Sequence, residues 1–216
     1  MKRAGHLSVY CRPLFTAMIF LAVVAAACGE NLAEEPAARV KAILKAQFHR
    51  VAGDQSGQAV IYPDSGSRWF DHSVSSPTVE FDGETYRMWF VGMSRSDDPG
   101  IPYGFAERIG LATRSDGIRW QVANRAKPVL DFGAAGEFDD AGLAHPFVLR
   151  VGDSYMMWYG GIDGRTGKEV GVDPPHVRVE QIGLATSLDG VHWQRANHGK
   201  PVMEIGPRGS IDSIQA

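Results

Sequence analysis

The chain has 216 residues, 44% of them hydrophobic and 22% charged, with a formal charge of −3, 25 Gly, 12 Pro and 2 Cys. These values belong to a globular protein and exclude a disordered chain, a collagen-like repeat and a disulfide-held scaffold.

Lys2, Arg3 and Arg12 lead into an unbroken apolar run from Leu14 to Ala27. A permanent membrane-spanning helix needs roughly 20 residues, so this shorter run reads as the core of a signal peptide over residues 1–27. Ala25, Ala26 and Ala27 stand directly before Cys28, which resembles a bacterial lipoprotein signal. The resemblance implies acylation of Cys28 and a lipid anchor on the membrane surface at the cell envelope, on its periplasmic or outer face; ordinary signal-peptidase cleavage is the alternative. Loss of residues 1–27 leaves 19 basic residues against 25 acidic ones, a balance that argues against a nucleic-acid partner. Cys11 leaves with the leader, so the exported fold rests on packing without an intramolecular disulfide.

Residues 28–58 are polar and Ala-rich, with Val40, Ile43, Leu44 and Phe48 at helical spacing; a tether and one short helix are expected. From Ala59 onward the chain turns to short β-rich runs bounded by Gly or Asp-Gly turns. Ala59–Ile61 is read as an outer strand ahead of the first full unit.

The runs are copies. Pro77, Trp89 and Gly92 recur 69 residues later as Pro146, Trp158 and Gly161, while Asp116, Trp120 and Pro128 recur 73 residues later as Asp189, Trp193 and Pro201. The string Ile109-Gly-Leu-Ala-Thr113 is identical to Ile182-Gly-Leu-Ala-Thr186. Each copy holds four strand-like segments: 78–81, 86–91, 109–114 and 120–130 in the first, 147–151, 155–160, 182–187 and 193–203 in the second. Tyr86, Met88 and Phe90 face one way and Trp89 and Val91 the other, so both faces of the sheet are apolar and each requires a neighbour. The sequence therefore predicts an all-β fold, a partial β-propeller with two complete four-stranded antiparallel blades at about 71–130 and 140–203 in a domain over 59–216. The segment 204–216 begins a third copy.

The strings Ile-Gly-Leu-Ala-Thr, Asp-Gly, Trp and Lys-Pro-Val, followed by Phe138-Asp-Asp140, His145-Pro-Phe-Val148 and Tyr155-Met-Met-Trp-Tyr-Gly-Gly161, resemble the five-bladed β-propellers of the glycoside hydrolases. That group includes arabinanases, β-xylosidases, levansucrases and invertases. The resemblance implies an oligo- or polysaccharide ligand, with hydrolysis of a glycosidic bond, glycan binding without turnover, a non-catalytic surface scaffold and a truncated pseudoenzyme all open. The inner strand of a third blade would fall past Ala216 and two blades do not close a ring, so the expectation is a piece of a longer propeller, or several short chains that associate through their uncovered blade faces.

Glycoside cleavage needs two carboxyl groups flanking the bond. Acids at the entry to the inner strands, which line a propeller's axis, are the candidates: Asp71, Asp139 and Asp140. Asp71 and Asp140 both stand six residues before the Pro of an inner strand, and a third copy of the acid is Asp212; a residue that recurs in every blade also fits a turn or cap. In the related hydrolases an acid often precedes that Pro, where this chain has Ser76 and His145. His145 and Trp69 are the candidate sugar contacts. Glu107, Glu169 and Glu180 fall in or beside the variable loops, with nothing in their spacing to separate them from surface charge. No Gly-rich phosphate loop, zinc-spaced His/Cys cluster or nucleophile elbow is present, so no cofactor or metal is expected.

Overall fold

The computed structural model describes residues 59–101, 104–165, 178–207 and 210, all within one compact unit, Val51–Ala216. The expected signal peptide, Cys28, the tether and its helix lie outside the described residues. Among those described, no helix is long and apolar enough to cross a membrane, and a short 3-10 turn stands at Asn197–Gly199.

The strands run in chain order as β1 (Ser73–Phe81), β2 (Tyr86–Arg95), β3 (Phe105–Arg114), β4 (Gln121–Val122), β5 (Gly142–Val151), β6 (Ser154–Asp163), β7 (Val179–Ser187) and β8 (Gln194–Arg195). β1 to β4 form one antiparallel meander and β5 to β8 a second. A single parallel bridge, Glu107 to Gly142, joins them. The registers superimpose through the repeat. Thr78 faces Trp89 and Trp89 faces Leu111 in the first sheet; Phe147 faces Trp158 and Trp158 faces Leu184 in the second. The copies are thus two blades of the expected partial propeller.

Two details correct the strand expectations. The first strand of each blade begins earlier than Thr78 or Phe147 because it runs through a bulge at its proline. Ser76 (φ 48°) and His145 (φ 49°) take up the left-handed backbone there, and the extra residue accommodates a Pro that cannot donate to the ladder. The fourth strands shrink to two residues, with isolated bridges from Leu130 to Ile109 and from Met203 to Ile182. Asn124 bends the intervening chain by accepting hydrogen bonds from the backbone N–H of Ala126 and Lys127, an Asx turn that competes with strand.

The blades meet through apolar side chains. Trp89, Ile109, Leu111 and Leu130 of blade 1 pack against Leu143, Val148, Tyr155, Met157 and Ala185 of blade 2. Each large side chain so buried contributes about 1.5–3 kcal/mol. Trp89 also donates its indole N–H to the carbonyl of Gly190 at 2.9 Å, and Arg87 donates to that of Asp189 at 2.7 Å. The Asp-Gly turn of blade 2 therefore has a structural duty: it caps blade 1.

The repeated glycines leave room for an aromatic ring laid across each sheet. Cβ atoms on Gly92 and Gly110 would stand 2.4 and 2.1 Å from the Trp69 ring, and a Cβ on Gly161 would stand 2.3 Å from that of Phe138. Trp69 and Phe138 occupy equivalent positions, so both blades have the same device.

Candidate functional site

The N-terminal ends of β1 and β5 bring equivalent residues of the two blades together. Ser76 Oγ lies 3.4 Å from His145 Nδ1, in hydrogen-bond contact across the gap between the inner strands. The bulges turn both side chains out of the regular alternation. The His145 side chain is 64% exposed, and its Nε2 is 3.9 Å from Glu180 Oε1.

Behind His145 the cluster becomes buried. Glu180, near the start of β7, lies across Gly160, where a Cβ would come within 2.0 Å of Glu180 Oε1. Arg178 reaches Glu180 Oε2 at 3.4 Å and forks onto Glu107, with Nη1 to Oε1 at 2.8 Å and Nη2 to Oε2 at 3.4 Å. Glu107 and Glu180 are 73 residues apart and occupy the same place in the two repeats, so one guanidinium ties a blade-1 carboxylate to its blade-2 twin. A paired arrangement is what buried carboxylates require. At the same end of the strands, Arg108 pairs with Asp131 at 2.9 Å and covers the ring of Phe132 at 4.2 Å.

The predicted site residues have separate placements. Asp71 is exposed and makes no hydrogen bond or ion pair among the described residues. Asp140, its counterpart, uses both oxygens on backbone: Oδ1 accepts from Gly164 N–H and Oδ2 from Gly136 N–H, at 2.8 and 2.7 Å. It is a clasp between two loops. Asp139 is fully buried, and its Oδ2 accepts from the Tyr159 hydroxyl at 2.8 Å and Arg195 Nε at 2.7 Å. Burial, reinforced by the Asp139 charge, raises the Tyr159 phenol well above its ordinary value. Blade 1 has Phe70, Phe90 and Val122 at these three positions, packed together in its own core, so a buried polar triad in one blade replaces an apolar one in the other.

Trp69 is 3% exposed, covered by Phe70 and Phe90, and donates to the carbonyl of Arg125 at 3.2 Å. It is a core anchor, with no free face for a sugar. Cys28, Glu169 and Asp212 lie outside the described residues. The sequence reading passed over Glu107, Glu180 and Arg178 as a set. The shared offset of the two glutamates was a usable signal, whereas Arg178 has Phe105 as its counterpart and gave none.

Among the described residues no group of three or more His, Cys, Asp or Glu side chains could hold a metal ion. A cleft of about 560 Å³ lined by Ser154, Thr186, Asp189 and Trp193 lies at the opposite end of the blade-2 strands from His145. Convergent polar side chains, rather than hollow volume, mark the site.

No protein-family model matches the sequence. Uncharacterized proteins from two strains of Mycobacterium tuberculosis, CDC 1551 / Oshkosh and H37Rv, are each 29% identical over 146 residues, 66% of this chain and 43% of theirs. The chain thus spans less than half the length of these curated relatives. A glycosyl hydrolase from Bacteroides ovatus superimposes with a TM-score of 0.50 at 18% identity, over 69% of this chain and 41% of that one. A structure from work on the GH130 family of mannoside phosphorylases, which contains glycoside hydrolases that target β-1,2 mannosidic linkages in Candida mannan, gives 0.51 at 18% identity over 72% and 45%. The described residues therefore have the fold of part of a glycoside-hydrolase β-propeller.

Proposed function

We propose that this chain is an exported protein, held at the cell envelope through Cys28, that engages a glycan at the inner-strand mouth formed by Ser76, His145 and Glu180. The observation that carries the reading is the meeting of Ser76 and His145 from two blades in front of a buried carboxylate. An imidazole and a hydroxyl supply both donors and acceptors to sugar hydroxyls. For hydrolysis, a carboxyl pair about 5–5.5 Å apart retains and one about 6.5–9.5 Å apart inverts configuration. Asp71 and Glu180 are the carboxyl groups to test, because Asp139 and Asp140 are engaged in structural contacts. The mannoside-directed neighbour makes β-1,2-mannosides the first substrates to try, with and without inorganic phosphate, beside arabinan, xylan and fructan.

Turnover that falls by about 100-fold or more in Glu180→Gln and Asp71→Asn supports the assignment. Turnover indifferent to both overturns it. A second reading, glycan binding without chemistry, is favoured by one feature: Arg178 neutralises and pins Glu107 and Glu180. Calorimetric binding that His145→Ala weakens, with no product from any substrate, decides for that reading. Absence of both binding and turnover across the panel contradicts the glycan assignment itself.

A further inference from the structure

Ser76 and His145 are the inner-strand residues that the bulges place in the left-handed region, with φ of 48° and 49°, a conformation that glycine adopts freely and a side chain makes costly. Each nonetheless carries a polar side chain, and the two meet: Ser76 Oγ is 3.4 Å from His145 Nδ1. The hydroxyl makes no other hydrogen bond among the described residues.

The second ring nitrogen fixes the direction of that bond. His145 Nε2 stands 3.9 Å from Glu180 Oε1, while Arg178 reaches the other oxygen, Oε2, at 3.4 Å. A neutral imidazole has one N–H and one bare lone pair. A lone pair turned on a carboxylate oxygen at this range is repelled, and an N–H is attracted. The carboxylate therefore selects the tautomer protonated on Nε2. Nδ1 is left as an acceptor, and the Ser76 hydroxyl is its donor.

The gap between Nε2 and Oε1 has room for a third group. It is too long for a direct N–H···O bond, but a single oxygen about 2.8–2.9 Å from both atoms bridges it. That oxygen has to accept from Nε2–H and donate to Oε1, which a hydroxyl does and an ether, a carbonyl or a halogen does not. The His145 side chain is 64% exposed, so the gap opens to solution. Oε1 is seated where only a glycine admits it, since a Cβ on Gly160 would come within 2.0 Å.

We infer that Ser76 is a positioning residue that holds His145 as its Nε2–H tautomer, so that His145 and Glu180 together grip one ligand hydroxyl, His145 as donor and Glu180 as acceptor. The inference rests on the glycan reading for its ligand and narrows it: the sugar must offer a free hydroxyl at this point.

The tautomer is tested without a ligand, by ring-nitrogen NMR on the full chain with isotope-labelled histidine. The chain is kept in mild detergent at about pH 8.5, above the range in which imidazoles ordinarily charge. His145 is identified by the signals that vanish in His145→Gln. The parent is expected to show Nε2 protonated and Nδ1 bare. Ser76→Gly, which suits the positive φ and so keeps the bulge, is expected to move the Nδ1 signal away from its hydrogen-bonded position. Ser76→Asn, which tolerates that φ and supplies an N–H donor, is expected to restore it. Protonation of Nδ1 in the parent, alone or together with Nε2, overturns the inference, and so do His145 signals that Ser76→Gly leaves in place.

The ligand is tested with the glycan that binds most tightly in the panel above, each hydroxyl in turn replaced by hydrogen and by fluorine. One position is expected at which both replacements weaken binding about tenfold or more, and at which Ser76→Gly narrows the difference. Derivatives that all bind like the unmodified sugar overturn the inference, because only water then fills the gap. A fluoro sugar that binds as well as the hydroxyl one wherever the deoxy sugar fails overturns it too, because nothing then accepts the hydroxyl's proton. A panel in which no glycan binds removes the glycan reading and the ligand with it, while the nitrogen signals still decide the tautomer.

Discussion

Replacement of Gly110 by Ala puts a methyl group where the flat of an indole already lies. Its carbon would stand 2.1 Å from Cη2 and 2.8 Å from Cζ3 of Trp69, and 2.9 Å from Cζ of Phe90, whereas ordinary carbon contacts are about 3.5–4.0 Å. The indole would have to retreat by more than about 1 Å. It is held at one edge by the Arg125 carbonyl at 3.2 Å and on its flank by Phe70, ring centroids 4.5 Å apart. Overpacking costs about 1–3 kcal/mol, and the entropy that Ala removes from the unfolded chain offsets less than about 1 kcal/mol of it. We expect Gly110→Ala to lose about 1–2 kcal/mol in urea unfolding followed by tryptophan fluorescence. Trp69→Leu clears the space, so the double variant should be more stable than the sum of the singles by at least about 0.5 kcal/mol. A neutral Gly110→Ala, or strict additivity with Trp69→Leu, would show that these glycines do not recur to admit a ring.

Asp139→Ala leaves the Arg195 guanidinium and the Tyr159 hydroxyl without their buried partner and should cost about 3 kcal/mol or more in the same unfolding assay. The triple change Asp139→Phe, Tyr159→Phe and Arg195→Val, which copies blade 1, should recover most of that loss; a triple variant no more stable than the single one would show that the triads are not interchangeable. Backbone N–H groups of the turn hold the Asp116 carboxyl down to about 2 and, together with His192, hold Asp189 lower still, against about 3.9 in the unfolded chain. Both turns thus add stability above about pH 4 that is lost as pH falls toward 2, and Asp116→Asn with Asp189→Asn should flatten the stability profile in that window; parallel profiles would contradict this. In a bacterial host, radiolabelled palmitate should enter the parent chain and not Cys28→Ala, with only the parent in the membrane fraction; label in the variant, or none in the parent, would remove the anchor.

The repeat was legible because packing demands recur with it. A Trp that must bury between blades, a Gly that must pass under a ring and an Asp-Gly that must turn are the same residues in both copies, so offsets of 69 and 73 residues exposed the fold. The site was less legible for three physical reasons. Ser76 and His145 sit at bulges, which break the period-two alternation that assigns a side chain to a face. The partners that engage Asp139 and Asp140 are Tyr159 and Arg195, 20 and 56 residues on, and backbone amides, which carry no side-chain signature. Trp69 belongs to a type that serves equally as a core plate or a sugar platform, and only its burial under Phe70 and Phe90 separates the two.

The two repeats stand side by side as neighbouring blades with their inner ends in contact. A methyl carbon on Gly142 would lie 3.6 Å from Cβ of Glu107, with only the terminal Cδ1 of Ile162 needing to swing away; disulfides form across Cβ separations of about 3.5–4.5 Å. Glu107→Cys with Gly142→Cys, in a chain whose Cys11 and Cys28 are replaced by Ser, should oxidise under mild conditions to a single species in which peptide mapping links residues 107 and 142. Two free thiols in a folded, oxidant-treated chain would contradict the arrangement.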